Sequence, residues 1–348
     1  MKNIRGILLL PISLIYGFIT FIRNKLFDWG IFRSTKHPLP IISVGNLSMG
    51  GTGKTPHVEF LIRLLKDRIK LATLSRGYGR KTKGFILADE NASAASIGDE
   101  PLQYYHKFKE IKVAVNENRN KGVKKILALE KDIELMILDD AFQHRWIQRD
   151  LSILLTDYHH LYSNDYVFPS GHLREFRTGA KRADIVIVTK TPITLSPFER
   201  RGIQEDLKIK AHQQLLFSKI SYDGFFDIYT HQKTDLKISA STIILFSGIA
   251  NPYPLEDYLK QYCKEIVVLN FPDHHHYTDK DVQLIIQTYN DQFTTNKLII
   301  TTEKDAQRLS TDHQESLLMN CAIYYIPIRI EFHNQDGDIL DQVISSII

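Results

Sequence analysis

Between Val44 and Pro56 the chain reads VGNLSMGGTGKTP, a short aliphatic strand, a run of small residues, and then Lys54-Thr55 at the opening of a helix. Few segments of this length constrain a fold as strongly. Glycines let successive backbone N–H groups turn toward one point, and the N-terminus of the following helix adds positive potential there. The segment is therefore read as a phosphate cradle. Gly50, Gly51, Thr52 and Gly53 supply amides, Lys54 reaches the β- and γ-phosphates, and the Thr55 hydroxyl serves Mg²⁺. A bound nucleotide with its Mg²⁺ is the cofactor this predicts.

Ser48 stands where the usual loop has its first glycine. With Gly50-Gly51 inside it, the loop resembles the deviant form of the MinD/ParA group, a group of nucleotide switches that act through partner binding. The signature lysine of that group would fall at Met49 and is missing, which counts against a switch. A second acidic element, ELMILDD over 134–140, has the form of a strand ending in a Mg²⁺-side carboxylate. Asp139 is the expected metal-side residue, with Asp140 as neighbour or second ligand.

Around these motifs the pattern is βαβ. Buried parallel strands are expected at Ile41–Val44, Leu71–Leu74, Leu135–Leu138, Ile153–Leu155 and Ile185–Val188, and helices at Pro56–Lys66 and Arg119–Glu130. This implies an α/β fold of the P-loop NTPase type, a doubly wound, mostly parallel sheet. Asp223-Gly224, between two alternating segments, reads as a hairpin. Beyond it, Ile243–Phe246, Ile266–Leu269, Leu298–Thr301 and Ile323–Ile330 read as a second, smaller α/β unit. The expected division is an apolar helix over 1–25, the P-loop core over 26–212, a hairpin linker over 213–235 and a smaller lid domain over 236–348.

The amino terminus is unlike the rest. Residues 6–22 carry no charge, with Lys2 and Arg5 before them and Arg23 and Lys25 after. As a helix the run measures roughly 25 Å, the low end of what crosses a bilayer. Flanking basic residues and Trp29 fit a helix lying in the membrane interface, and no small-residue cleavage site follows. A buried core helix is the alternative. The overall charge of +4 favours anionic partners without the concentrated basic face of a nucleic-acid binder. Cys263 and Cys321 form no CxxC pair and no disulfide framework, as in a reducing compartment.

Several segments offer catalytic groups. In Gly98-Asp99-Glu100-Pro101, two carboxylates are held at a loop-to-helix junction, either to act on a nucleophile or merely to cap a helix. FPDHHHY over 271–277 sets imidazoles beside a carboxylate, or is a solvated loop. Within GHLRE over 171–175, Arg174 would neutralise phosphate and Glu175 reach Mg²⁺ through water, or the two form a surface pair. Arg76 and Arg80, in the SRGYGRK run after the second strand, are candidates for an anionic substrate. Lys304 and Asp305, in TTEKD, resemble base-recognition loops of the NKxD type. A metal-handling GTPase using the histidines is a further, weaker reading.

Taken in order, VGNLSMGGTGKTP, SRGYGRK, GDEP, LDDAFQHR, GHLRE, FPDHHHYT and TEKDAQRL resemble one family, the tetraacyldisaccharide 4'-kinases of lipid A biosynthesis, along essentially the whole chain. The resemblance implies ATP-dependent phosphorylation of the 4'-hydroxyl of a tetraacylated glucosamine disaccharide 1-phosphate. It implies that Asp99 activates that hydroxyl with His274, and that Lys54, Thr55, Asp139, Asp140 and Glu175 organise phosphates and Mg²⁺. It further implies attachment at the cytoplasmic face of a bacterial inner membrane, with membrane lipids as partners and no obligate protein partner.

Overall fold

The computed structural model describes residues 8–234, 239–249, 251–273, 275–309, 317–319 and 321–348. His274 lies outside the described residues, as do Lys2, Arg5 and the first part of the apolar leader. The chain forms two compact units. One comprises the chain up to Ile220 together with Ile330–Ile348, and the other Ser221–Arg329.

In the first unit the elements run α1 (Leu10–Asp28), β1 (Ile41–Asn46), α2 (Lys54–Leu65), β2 (Leu71–Ser75), β3 (Ile86–Leu87), α3 (Ala94–Ile97), α4 (Asp99–Lys107), β4 (Lys112–Val115), α5 (Arg119–Leu129), β5 (Leu135–Asp139), β6 (Leu151–Asp157), β7 (Ile185–Thr189), α6 (Pro197–Leu207) and β8 (Gln214–Tyr222). The second contains β9 (Phe226–Asp227), β10 (Ala240–Ser247), α7 (Tyr253–Leu259), β11 (Cys263–Asn270), α8 (Asp279–Asn290), β12 (Lys297–Thr302), α9 (Glu303–Arg308) and β13 (Ile323–Ile326). The chain ends with β14 (Ile328–Phe332) and α10 (Asp336–Ser345).

The first unit is built on a nine-stranded sheet in the order β14-β8-β7-β6-β1-β5-β2-β4-β3. From β8 to β4 every neighbouring pair is parallel, and β3 closes one edge antiparallel. β1, β2 and β5 are buried along their whole length, as strands covered on both faces must be, which is why they read as unbroken aliphatic runs. Parallel pairing also aligns strand ends: Val44 lies opposite Asp139, so the cradle and the acidic strand end emerge side by side. In an open α/β sheet that edge is where ligands bind.

The expected hairpin around Asp223-Gly224 is not formed. Gly224 does turn the chain at φ +84°, but β8 pairs parallel with β7 in the large sheet while β9 pairs antiparallel with β13 in the small one. Pro327, which has no N–H for a ladder, likewise splits the expected strand Ile323–Ile330 into β13 and β14, one in each sheet. The carboxyl terminus is a second correction, since α10 belongs to the large unit. Its Leu340 and Ile344 pack into the cluster that includes Ile42, Val58 and Leu61. Its first residue, Asp336, accepts bonds from Arg200 at 2.7 and 2.8 Å and from the Phe217 amide at 2.8 Å.

The second unit holds a five-stranded sheet, β11-β10-β12-β13-β9, parallel except for its last pair.

Helix α1 is inverted with respect to an ordinary surface helix. Its buried residues are Ser13, Gly17, Thr20 and Phe27, a stripe at helical spacing made mostly of small residues. Ser13 Oγ accepts from the Ser170 amide at 2.8 Å. At Gly17 a Cβ would come within 2.6 Å of the Phe176 ring, so any larger residue there must displace that ring. Arg145 donates to the Asn24 carbonyl and the Asp28 carboxylate, both at 2.8 Å. The other faces carry Leu10, Ile12, Leu14, Ile15, Phe18, Ile19 and Ile22, all exposed. Among the described residues no helix is long and apolar enough to cross a membrane.

Candidate active site

The cradle's shape follows from where its carbonyls go. Thr189 Oγ1, at the end of β7, donates to the Thr52 carbonyl at 3.0 Å, and the buried His57 ring donates from Nδ1 to the Gly53 carbonyl at 2.7 Å. A peptide unit is planar, with C=O and N–H on opposite sides. Tethering those two carbonyls to interior donors therefore turns the N–H groups of Gly53 and Lys54 the other way, toward an incoming anion. Gly50 at φ +114° and Gly53 at φ +83° adopt conformations that a side chain resists. Asn46, the last residue of β1, donates to Thr52 Oγ1 at 2.8 Å and fixes the loop's far side.

His57 is neutral, because burial lowers its pKa to about 4. With Nδ1 donating to a carbonyl, Nε2 is left to accept from Ser218 Oγ at 2.9 Å. His57, Asn46 and Thr189 were not singled out from the sequence. Only their place, one helical turn after the cradle or at a strand end, could have marked them.

The GHLRE segment docks against the cradle. The Met49 amide donates to the His172 carbonyl and the Arg174 amide to the Leu47 carbonyl, each at 2.7 Å. Arg174 then forks onto Asp140, with Nη1 at 2.9 and 3.0 Å from its two oxygens. Lys54 Nζ stands 3.7 Å from the same carboxylate. Asp140 thus gathers the two cations best placed for a polyphosphate, and it does so at φ +48°, a strained backbone for a residue with a side chain.

Asp139 differs from its neighbour. Its Oδ2 accepts from Tyr104 at 3.1 Å, while its buried Oδ1 has no hydrogen-bond partner among the described residues. Burial, followed by the charge of Asp140, pushes its pKa up to about 6. A buried carboxylate with an unfilled oxygen is a costly arrangement unless a cation completes it. Arg119, a residue not anticipated from the sequence, donates to the Asp139 carbonyl at 3.4 Å, and burial lowers its pKa to about 10.

Asp99 and Glu100 open α4, and Gly98 before them lies at φ +94°, where a Cβ would meet the Tyr78 carbonyl at 2.8 Å. The GDEP turn is thereby pressed against the loop that carries Arg76, which is exposed at the end of β2.

Three expectations change. The Arg80 side chain is only 3% exposed, bound to Glu117 and to the Gly84 carbonyl, so it shapes its own loop. Glu175 is buried; Arg182 at 2.7 Å donates to one oxygen and Asn24 of α1 to the other, so its nearest partners are a guanidinium and an amide. Asp305 is fully buried, accepting from the Gly248 amide at 3.1 Å and the Thr302 hydroxyl at 2.6 Å. That carboxylate is committed to groups of its own unit, while its neighbour Lys304 is partly exposed. In the histidine loop, His275 pairs with Asp281 at 3.0 Å and stacks on Phe271. Among the described residues no three His, Cys, Asp or Glu side chains converge as a metal-binding group.

A mostly parallel α/β sheet whose leading edge carries a glycine-rich loop, a lysine and a strand-end carboxylate has the make-up of an ATP-dependent kinase. The sequence profile of one such family, tetraacyldisaccharide-1-P 4'-kinase, matches residues 5–347. A tetraacyldisaccharide 4'-kinase of Parabacteroides distasonis is 46% identical over 93% of this chain and 90% of its own. That of Flavobacterium johnsoniae is 46% identical over 97% and 96%. A crystal structure of LpxK from Aquifex aeolicus in complex with ATP superposes with a TM-score of 0.76 at 30% identity, covering 98% of this chain and 99% of that one. The chain belongs to the tetraacyldisaccharide 4'-kinase family, the ATP-dependent kinases of lipid A biosynthesis.

Proposed function

We propose that this kinase transfers the γ-phosphoryl group of ATP to the 4'-hydroxyl of a tetraacylated disaccharide 1-phosphate, with Asp99 as the base and His274 as its partner. The hydroxyl oxygen forms the new bond to phosphorus, the bond to the bridging oxygen of ADP breaks, and the hydroxyl proton passes to Asp99. Phosphoryl transfer needs alignment and charge neutralisation more than covalent chemistry. The amides of Gly50, Gly51, Thr52 and Gly53 hold the phosphates, Lys54 and Arg174 neutralise them, and Lys304 is assigned to the nucleotide. The single observation that carries this reading is the unfilled, buried oxygen of Asp139 at the foot of the cradle.

That oxygen fits Mg²⁺, a hard cation often held by one or two carboxylates plus phosphates. Thr55, Asp139 and Asp140 would hold it, and its chemistry there is to neutralise charge developing on the transferred group. Arg76 faces the acceptor's own phosphate. Helix α1 embeds its exposed apolar side in the cytoplasmic face of the inner membrane, where both ATP and the lipid acceptor are available. Each acyl methylene withdrawn from a bilayer costs about 0.8 kcal/mol, so the enzyme must come to its substrate.

The test is mass spectrometry of lipid products after incubation with ATP, Mg²⁺ and the disaccharide acceptor. Addition of one phosphate is expected, and Asp99→Ala should slow it by about 10²–10⁴-fold while ATP still binds. ATP-dependent dimerisation with no phosphorylated lipid would replace the kinase with a switch.

A further inference from the structure

The buried carboxylate of Glu59 is bonded by three side chains, and no motif accounts for it. It lies on α2, five residues beyond Lys54, and is 1% exposed. Gln103 Nε2 donates to Oε1 at 2.7 Å. Lys107 Nζ and Arg63 Nη2 both donate to Oε2, at 2.8 Å. Arg63 is the ordinary i,i+4 partner on the same helix. The other two belong to α4, the helix that begins at Asp99.

Gln103 and Lys107 follow Asp99 by four and eight residues, so all three share one face of α4. Two anchor points a full turn apart fix both the rotation and the axial position of a helix. A single anchor would leave it free to pivot. A third tie comes from Tyr104, whose hydroxyl donates to Asp139 at 3.1 Å. The helix that opens with the base is thus bound to the helix that opens with Lys54 and to the strand that ends in Asp139. A buried ionised group is retained at a cost in desolvation, and that cost is best explained where it secures a particular geometry.

We infer that Glu59 is a positioning residue: its buried carboxylate locks α4 in register with the phosphate-loop helix and thereby sets where Asp99 stands relative to the transferred phosphoryl group. This rests on the reading of Asp99 as the base. Misplacement of a reacting group by about 1 Å can cost about 10²-fold in rate. The lock acts on Asp99 and not on the cradle, so its loss should fall on kcat and spare nucleotide binding.

The experiment compares Glu59→Gln, Asp99→Ala and the double variant by steady-state kinetics on the full chain, with folded fraction measured by circular dichroism. Glu59→Gln is expected to lower kcat by about 10- to 100-fold with KM for ATP within about threefold of the parent. In the double variant the two losses should fail to multiply, since a displaced α4 matters little once the carboxylate is gone. If Glu59→Gln does not fold, Lys107→Met, which removes one anchor and keeps Gln103, carries the same comparison. Unchanged kcat per folded molecule beside an inactive Asp99→Ala overturns this inference alone, as do losses that multiply. Near-normal turnover in Asp99→Ala overturns the base assignment instead.

Discussion

At the end of β5, Asp139 is buried with one oxygen bonded by Tyr104 and the other without a partner among the described residues. One turn beyond β12, Asp305 is just as buried, yet the Gly248 amide and the Thr302 hydroxyl share its Oδ2 and Arg308 lies 3.4 Å from Oδ1. Both carboxylates sit at the carboxyl ends of strands in mostly parallel sheets, Asp139 as the last residue of β5 and Asp305 in the helix that follows β12. In the large unit, strained and unsatisfied groups accumulate at that edge: Gly50, Gly53 and Asp140 at positive φ, and an orphaned oxygen. In the small unit the corresponding carboxylate is spent on its own loop. A buried carboxylate oxygen without a partner, beside a cradle of strained backbone, is the kind of group that a bound cation completes. The completed network around Asp305 marks a structural support.

The comparison is tested most severely at the two lysines nearest these edges. Lys54→Ala removes a charge aimed at the phosphates and is expected to lower kcat/KM for ATP by about 10²–10³-fold, by analogy with loss of one preorganised donor to developing charge. Lys304→Ala, beside a carboxylate already committed to its own loop, should cost about tenfold at most. Equal losses in a steady-state assay would erase the distinction between the two edges.

Carboxylate substitutions should move stability in opposite directions. The Asp139 side chain keeps its proton up to about pH 6 in the folded protein, against an ordinary value of 3.8. Between those values the folded state binds more protons than the unfolded one, so Asp139 makes the protein less stable as pH rises. Asp139→Asn removes that penalty. In the absence of divalent cations, its stability relative to the parent should climb through pH 6 to a gain of up to about 3 kcal/mol, while activity is lost. His57 and His144, both lowered to about 4 by burial, have the opposite slope but are common to both proteins and cancel in the difference. Asp305→Ala should instead destabilise by about 2–3 kcal/mol, because the Gly248 amide is left unpaired. Urea unfolding across pH 4–8 reads both. A gain for Asp305→Ala, or a difference for Asp139→Asn that is flat with pH, would mean that the two sites are alike.

How much of this was legible in the sequence depended on whether the information was contiguous. The cradle, the strand before it and the acid pair at 139–140 are each encoded within a dozen residues, and the parallel register brings them together. Asp223-Gly224 was misread because a turn signal says nothing about which sheet its flanking strands join. Pro327 carried the missing cue. Arg80, Glu175 and Asp305 carry the right chemistry for a ligand, but only burial and partners show that Glu117, Asn24 with Arg182, and Gly248 had already claimed them. Glu59 carries no signal in the sequence, since nothing local reveals that Gln103 and Lys107, more than forty residues away, converge on it.

Helix α1 offers the gentlest test, and it carries the same logic to the surface. Its buried stripe is small and partly polar, while Ile15 at 64% and Phe18 at 59% exposure face outward. On the proposed reading, a helix that hides serine and displays phenylalanine would be completed by something apolar, just as Asp139 would be completed by a cation. Phe18→Ser removes roughly 1–2 kcal/mol of apolar burial from a helix lying in lipid, so partitioning to phospholipid vesicles should weaken by about tenfold. Thermal stability in solution should stay nearly unchanged, because the ring is not packed in the fold. Gly17→Leu, aimed at the opposite face, should reverse the pattern, since a Cβ there would meet the Phe176 ring at 2.6 Å. It should loosen α1 from the body with little effect on the lipid-facing residues. Vesicle sedimentation alongside thermal melting separates the two. If Phe18→Ser lowers the melting temperature and leaves vesicle binding intact, the exposed face is not the membrane face.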